Sequence, residues 1–108
     1  MHCKQTALWD NMISSYANNP RDVITVPLNG SGIWFYVYVA SGCIYVESAK
    51  KHTNSSMIRN RRMLEQEKAE AMLSLYYRRK RGEAVSREAT ATTQNQVYWY
   101  GIFADMGL

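Results

Sequence analysis

The sequence is poor in the residues that define secreted or metal-binding proteins. Its 108 residues include only two cysteines, Cys3 and Cys43, and two histidines. Two cysteines without an export signal fit free thiols in a reducing cytoplasm better than a disulfide framework. The Cys and His residues also lack the paired spacing of a zinc site, so we expect neither a metal nor a cofactor.

Long apolar runs are missing as well. No run approaches the ~20 residues that span a bilayer, so we expect no membrane partner. The first residues lack a basic region followed by an apolar one, so we expect no secretory signal and a cytoplasmic protein.

Catalytic motifs are scarce. The chain has no Gly-rich phosphate-binding loop between a strand and a helix. Asp22 and Glu47 with Lys50 approach the acid, acid-x-Lys arrangement of metal-dependent nucleases, but two residues instead of one separate Glu47 from Lys50. We therefore expect no catalytic residues and a non-enzymatic protein, with a nuclease as an alternative.

Acidic residues are few in segment 50–81, where most of the positive charge lies. This segment holds ten of the thirteen Lys and Arg residues against three Glu, so it carries +7, while the remainder carries −3. Clustered cations attract polyanions, and eight of the thirteen are arginines, whose planar guanidinium binds phosphate or carboxylate in a bidentate way. We predict a basic contact surface made of Lys50, Lys51, Arg59, Arg61, Arg62, Arg78, Arg79, Lys80 and Arg81.

The 46% apolar content indicates a folded protein, and the length predicts a single domain over residues 1–108.

The first quarter of the chain predicts one helix and one strand. Apolar residues recur at helical spacing between residues 4 and 17, and Pro20 ends that helix. A short strand is expected at residues 23–26, where the following Pro27 favours a sheet edge.

A β-hairpin at residues 33–47 is the clearest structural signal. Two β-rich runs flank Ser41 and Gly42, and a two-residue turn there pairs Ala40 with Cys43. One side of this hairpin is then aliphatic and is expected to face the core; it consists of Ile33, Phe35, Val37, Val39, Ile44 and Val46. The other side is aromatic and half-wet and is a candidate contact face; it consists of Trp34, Tyr36, Tyr38 and Tyr45. It stacks bases or self-associates in one interpretation, and in the alternative a helix covers it.

The central segment predicts a long helix from about residue 56 to residue 81. Ser55 or Ser56 is expected to cap it, and Gly82 to stop it. Its predicted buried stripe is Leu64, Ala71, Met72, Leu75 and Tyr76. These elements predict an α+β fold, in which an N-terminal helix and this central helix pack on a small antiparallel sheet built on the 33–47 hairpin.

The predicted helix over residues 56–81 places its arginines in two groups, one at each end. Arg78 to Arg81 fall at its C-terminus, where cations complement the helix dipole by ~0.3–1 kcal/mol each, or where they contact a polyanion. Arg59, Arg61 and Arg62 fall near its N-terminus, where the dipole disfavours them, so we favour an anionic partner for these three. The alternative is that the helix begins later and leaves them in a solvated loop.

Two interpretations of the last quarter are open. Residues 96–103 have high strand propensity, and we favour a final strand that pairs with the hairpin. The alternative is helical and rests on the spacing of Gly82, Val85, Ser86, Ala89, Val97, Tyr98, Gly107 and Leu108. On those residues the last quarter resembles the helix-turn-helix DNA-binding regulators, which implies three successive helices and a DNA partner. The chain departs from that family at its turn and in the apolar character of its third helix.

Three functions fit these observations. The one we favour is a small non-enzymatic, regulatory protein that binds DNA, RNA or another polyanion through the arginine-rich central helix. The second is a protein–protein inhibitor of the phage anti-defence, anti-CRISPR-like class, which engages an acidic or nucleic-acid-binding protein. The third is a metal-dependent nuclease. The aromatic hairpin face also favours a homodimer.

Overall fold

Four α-helices and one four-stranded sheet make up the described chain. A computed structural model describes the backbone of residues 3–108 and the side chains from Ala7 onward. The helices are α1 (Cys3–Asn18), α2 (Ala69–Lys80), α3 (Ser86–Thr92) and α4 (Gln96–Asp105). The strands are β1 (Arg21–Ile24), β2 (Trp34–Ala40), β3 (Cys43–Ser48) and β4 (Arg62–Met63), and they are antiparallel in the order β1-β2-β3-β4. The predicted α+β fold is confirmed.

The predicted hairpin is confirmed residue by residue. Ala40 faces Cys43, and Val37 faces Val46. Ser41 has φ 52° and Gly42 has φ 75°, which is the positive φ that a type I′ turn requires at both central positions. Because one residue of slip exchanges the two faces of a strand, this turn decides which side chains are buried.

The aliphatic side of the hairpin is the centre of the core. Four of its members have no exposed surface: Phe35, Val37, Ile44 and Val46. Helix α1 packs on β2 and β3, and α4 packs on β1. Ile33 was predicted on this side, but it precedes β2 and is 38% exposed. Strand β1 is an edge strand as predicted, although it begins two residues earlier than the pattern indicated.

The predicted helix over residues 56–81 is wrong in its first half. The backbone of Ser56 donates to the Trp34 carbonyl and that of Leu64 to the Ile44 carbonyl, so both residues continue the sheet. Neither predicted serine caps a helix: the Ser55 hydroxyl oxygen accepts from the Ala49 N–H, and the buried Ser56 hydroxyl lies 2.9 Å from the Tyr98 hydroxyl. Backbone pairing with the hairpin therefore outcompetes local helix propensity in residues 55–64.

The second half of that helix is α2, which follows a 3₁₀ turn at Gln66–Lys68. It stops as predicted, because Gly82 has φ 92° and its N–H donates to the Arg79 carbonyl while the next N–H donates to the Arg78 carbonyl. Met72, Leu75 and Tyr76 are buried as predicted, but Ala71 is exposed. Leu64 is buried outside the helix. Helix α2 packs on α1, α3 and α4, so α4 and not the central helix joins α1 as the second helix on the sheet.

The strand that we favoured for residues 96–103 is a helix, α4. Its aromatic and aliphatic residues are buried around the whole circumference: Tyr98, Trp99, Tyr100, Ile102 and Phe103. A helix apolar on all sides has no amphipathic period, so its pattern is indistinguishable from that of a buried strand. Gly101 permits close packing on the sheet, since a Cβ there would lie 3.0 Å from the Ile24 carbonyl oxygen.

Candidate functional site

The aromatic side of the hairpin is not covered by the helices that pack on the sheet. Its four aromatic residues, Trp34, Tyr36, Tyr38 and Tyr45, are all half-buried, whereas the opposite side lies against α1 and α4. Hereafter this surface is the open face. Its predicted partial exposure is confirmed, and its role as a contact surface stays a prediction.

Three tyrosines form a stack across β2 and β3, hereafter the tyrosine ladder. The ring centres of Tyr36 and Tyr38 are 5.7 Å apart, and those of Tyr38 and Tyr45 are 5.6 Å apart. A cation lies over the ring at each end: Lys50 Nζ is 5.2 Å from the Tyr36 centre, and Arg61 Cζ is 3.9 Å from the Tyr45 centre. The negative face of each ring attracts the cation above it. The open face thus joins part of the predicted basic surface to the predicted aromatic surface.

The cations at the two ends of the tyrosine ladder, Arg61 and Lys50, form few polar contacts. Arg61 is exposed, and its Nη1 donates to the Tyr38 hydroxyl at 3.1 Å. Lys50 is also exposed, and its Nζ lies 3.4 Å from Glu47 Oε1. The Tyr38 hydroxyl and the Lys50 ammonium lower the pKa of Glu47, so this carboxylate is ionised at neutral pH. Among the described side chains, an incoming anion therefore competes with the Glu47 carboxylate for Lys50 and with a neutral hydroxyl for Arg61.

Asp22 of β1 fixes the loop that carries Lys50. Its Oδ1 accepts the Lys50 N–H at 2.8 Å, and its Oδ2 accepts the Lys51 and His52 N–H groups at 2.8 and 3.1 Å. His52 Nδ1 lies 2.9 Å from the same Oδ2 and donates to it, because an ionised carboxylate only accepts. Burial opposes the charge of Asp22, but the hydrogen bonds outweigh it and lower its pKa to about 2. Hereafter this arrangement is the Asp22 clasp.

The clasp also gives Trp34 a partner from its own chain. The His52 ring lies flat on Trp34, with ring centres 3.4 Å apart and planes inclined by 6°. Trp34 is thus stacked on a residue of its own chain, whereas the tyrosine ladder has a cation over the ring at each end.

Arg59, Arg61 and Arg62 do not lie at a helix N-terminus, so the dipole argument for them is wrong. Arg62 belongs to β4 and is exposed, and its Nη1 donates to Asn95 Oδ1 at 3.2 Å. Arg59 is exposed in the loop before β4, and it forms no ion pair within the described side chains. The alternative, a helix that begins near residue 60 and leaves the three arginines in a loop, is correct only in part: the helix begins later still, at Ala69, and Arg62 lies in a strand. Of the three arginines, Arg61 is the one that reaches the tyrosine ladder.

The cations at the end of α2 are used inside the molecule. Arg78 binds the carboxylate of Glu88 with two nitrogens, at 2.7 and 2.8 Å, and donates to Glu83 at 2.8 Å. The remaining three also have internal partners: Arg79 donates to the Val26 carbonyl, Lys80 to the Leu108 carbonyl and Arg81 to Glu83. The structure therefore does not combine segment 50–81 into one basic surface.

The residues proposed for a nuclease do meet, but in another role. Asp22 contacts the Lys50 backbone through the clasp, and its side chain is 4% exposed with both oxygens occupied. Within the described part of the chain, no group of three His, Cys, Asp or Glu residues is placed to hold a metal ion. Cys43 has a free thiol next to the hairpin turn, as predicted, whereas the side chain of Cys3 lies outside the described residues.

Sequence reasoning did not identify the Asp22 clasp or the role of His52. The available signal was small: Asp22 alternates with the buried Val23 and so faces the open side of β1, where a polar loop has to pass.

No family of known proteins matches the chain, and no curated protein or solved structure matches it either. The resemblance to helix-turn-helix regulators therefore stays a prediction, although α2, α3 and α4 follow one another as it implies. None of the described helices is long and apolar enough to cross a membrane.

Proposed function

We propose that this protein is a non-enzymatic binder of single-stranded nucleic acid, and that the strand lies on the open face. The observation that carries the proposal is the tyrosine ladder, a stack of three rings with a cation over the ring at each end on an uncovered sheet face. The proposed contact is thus the sheet and not the central helix that the sequence favoured.

Stacking supplies the reason for a single strand. Aromatic side chains on a sheet bind unpaired bases through their flat surfaces, at ~1–3 kcal/mol per base. The inner ring faces of the ladder are stacked on each other, so a base takes an outer face and displaces Lys50 from Tyr36 or Arg61 from Tyr45. In a duplex the bases are stacked on each other and do not offer those surfaces. We therefore expect weaker binding to duplexes than to single strands of the same length.

The charges around the ladder supply the affinity for phosphates. Lys50, Lys51 and Arg61 border the open face, and none of them has the bidentate internal partner that Arg78 has. Three phosphate contacts on a single strand give a slope of about −2 for log K against log salt concentration. This moderate slope distinguishes the open face from a surface that uses all the basic residues of segment 50–81.

The test is equilibrium binding of fluorescent single-stranded oligonucleotides over a range of salt concentrations. We expect Tyr38→Leu and Arg61→Glu each to weaken binding about tenfold, the first because the ladder loses the central ring that joins Tyr36 to Tyr45 and the second because a charge is reversed. Arg87→Glu is the matched control, because Arg87 is an exposed arginine at the start of α3. Equal losses in Arg61→Glu and Arg87→Glu, or no effect of Tyr38→Leu, contradict the proposal.

A second candidate is a protein–protein inhibitor that uses the same face, of the anti-defence class named above. The observation in its favour is that Ile24 and Met63, which lie on this face beside Trp34 and Tyr45, are 39% and 52% exposed. Tyr, Met and Arg are enriched at protein interfaces. This function predicts a complex with an acidic or nucleic-acid-binding protein that survives nuclease treatment, and little affinity for free oligonucleotides.

For both candidate functions we propose that the protein acts in the cytoplasm, where the Cys43 thiol stays reduced.

A further inference from the structure

A cavity of about 420 Å³ lies directly beside the Tyr36 end of the tyrosine ladder. Its lining includes Arg21, Asp22, Tyr36, Lys50, Lys51 and His52. We propose that this cavity binds the phosphomonoester at one end of a nucleic acid strand. The inference rests on the proposed function, because the ladder has to guide the strand to the cavity.

The charges that line the cavity favour a phosphate group. Lys50 and Lys51 are exposed at its wall, and Lys50 also lies over the Tyr36 ring. Arg21 adds positive charge near the cavity, but its guanidinium is already engaged: it donates to Asp105 at 2.6 Å and to the Asn19 carbonyl at 2.7 Å. Asp22 is the one carboxylate in the wall, and the clasp occupies both of its oxygens.

The cavity is also rigid on the side that carries the lysines. The Asp22 clasp holds three consecutive backbone N–H groups of the loop, and the His52 ring is stacked on Trp34. The backbone of the two lysines is therefore placed before a ligand arrives, which lowers the ordering cost of binding. A volume of about 420 Å³ lies in the range of sites for small molecules and accommodates a terminal nucleotide.

A strand end differs from the interior of a strand in charge. An internal phosphodiester carries one negative charge, whereas a phosphomonoester carries roughly 1.5–2 at neutral pH. A strand whose last base reaches Tyr36 places its terminal phosphate at the cavity. Because the strand runs along the ladder in one direction, either its 5′ end or its 3′ end reaches the cavity, but not both. The cavity is thus expected to distinguish a phosphorylated end from a hydroxyl end, and the 5′ end from the 3′ end.

The experiment compares three hexanucleotides of one sequence: one with a 5′-phosphate, one with a 3′-phosphate and one with hydroxyls at both ends. We expect one phosphorylated form to bind about fivefold more tightly than the hydroxyl form, since exposed ion pairs each contribute weakly. In Lys51→Gln this ratio is expected to fall to about one, whereas Lys68→Gln, which changes a lysine outside the cavity wall, keeps it.

The outcomes separate this inference from the proposed function. Equal affinity of wild type for all three hexanucleotides, or an equal gain from both phosphates, overturns the inference alone. A preference that survives Lys51→Gln also overturns it, because the phosphate then binds elsewhere. Failure of all three to bind overturns the proposed function together with the inference.

Discussion

Asp22→Asn is the substitution that tests the structural basis of the site. The asparagine keeps one oxygen for the Lys50 N–H, but it places an NH₂ group where Oδ2 now accepts from Lys51 and His52. Two backbone donors and His52 Nδ1 then face another donor. Because the side chain is only 4% exposed, water compensates poorly for the lost acceptor.

The expected cost follows from the pKa of Asp22. A shift from 3.8 to about 2 corresponds to a stabilisation of the folded state that we place at about 1–2 kcal/mol after allowance for solvent screening. The folded-state pKa is the lower one, so this stabilisation is complete above about pH 5 and is lost as the pH falls through about 2. We therefore expect the difference in unfolding free energy between wild type and Asp22→Asn to be largest at neutral pH and to shrink below about pH 4.

Two assays check this reasoning. Urea denaturation between pH 2 and 7 measures the difference in stability, with Asp10→Asn as the matched control at an exposed site of α1. Amide hydrogen exchange measures the opening of Lys50, Lys51 and His52 directly, and we expect it to be faster in Asp22→Asn. Unchanged exchange at these amides, or a stability loss that does not depend on pH, refutes the clasp as described.

Three further predictions concern the fold and the assembly. Tyr98→Phe leaves the buried Ser56 hydroxyl without its partner at 2.9 Å, and we expect a loss of about 1–2 kcal/mol in thermal or urea denaturation. Glu65→Ala removes the acceptor of the Thr93 hydroxyl at 2.8 Å, which ties the start of the 3₁₀ turn to the C-terminal end of α3, and we expect a loss of about 1–3 kcal/mol by the same measurement. In sedimentation velocity we expect a homodimer at high protein concentration that added oligonucleotide dissociates, since both use the open face. A monomer at all concentrations contradicts that homodimer.

The sequence predicted the hairpin because two independent signals agreed. The Ser41-Gly42 turn and the alternation of Phe35 and Val37 with tyrosines both specified one register, and the structure has it. The stop of α2 was equally predictable, because Gly82 supplies the positive φ of a helix end.

The errors arose where a tertiary contact decides the local structure. Residues 55–64 have helix-compatible composition, but Ser56 and Leu64 form backbone bonds with the hairpin instead. Residues 98–103 are all buried, which removes the period that separates a helix from a strand.

The candidate site was predictable in its parts but not in its arrangement. Tyr36, Tyr38 and Tyr45 followed from alternation, and Arg61 from charge. Their juxtaposition depends on β4, a two-residue strand for which the sequence gives no signal, and on the Asp22 clasp.

The position of the strand on the open face is tested most directly by NMR of the tyrosine rings during titration with a single-stranded oligonucleotide. The chain has eight tyrosines, so each ring is a separate probe. We predict that the signals of Tyr36, Tyr38 and Tyr45 shift together as the oligonucleotide binds. Tyr77, which is 39% exposed on α2, serves as an internal control and is expected to stay unchanged. Shifts at Tyr77 with an unperturbed tyrosine ladder contradict the proposed interface.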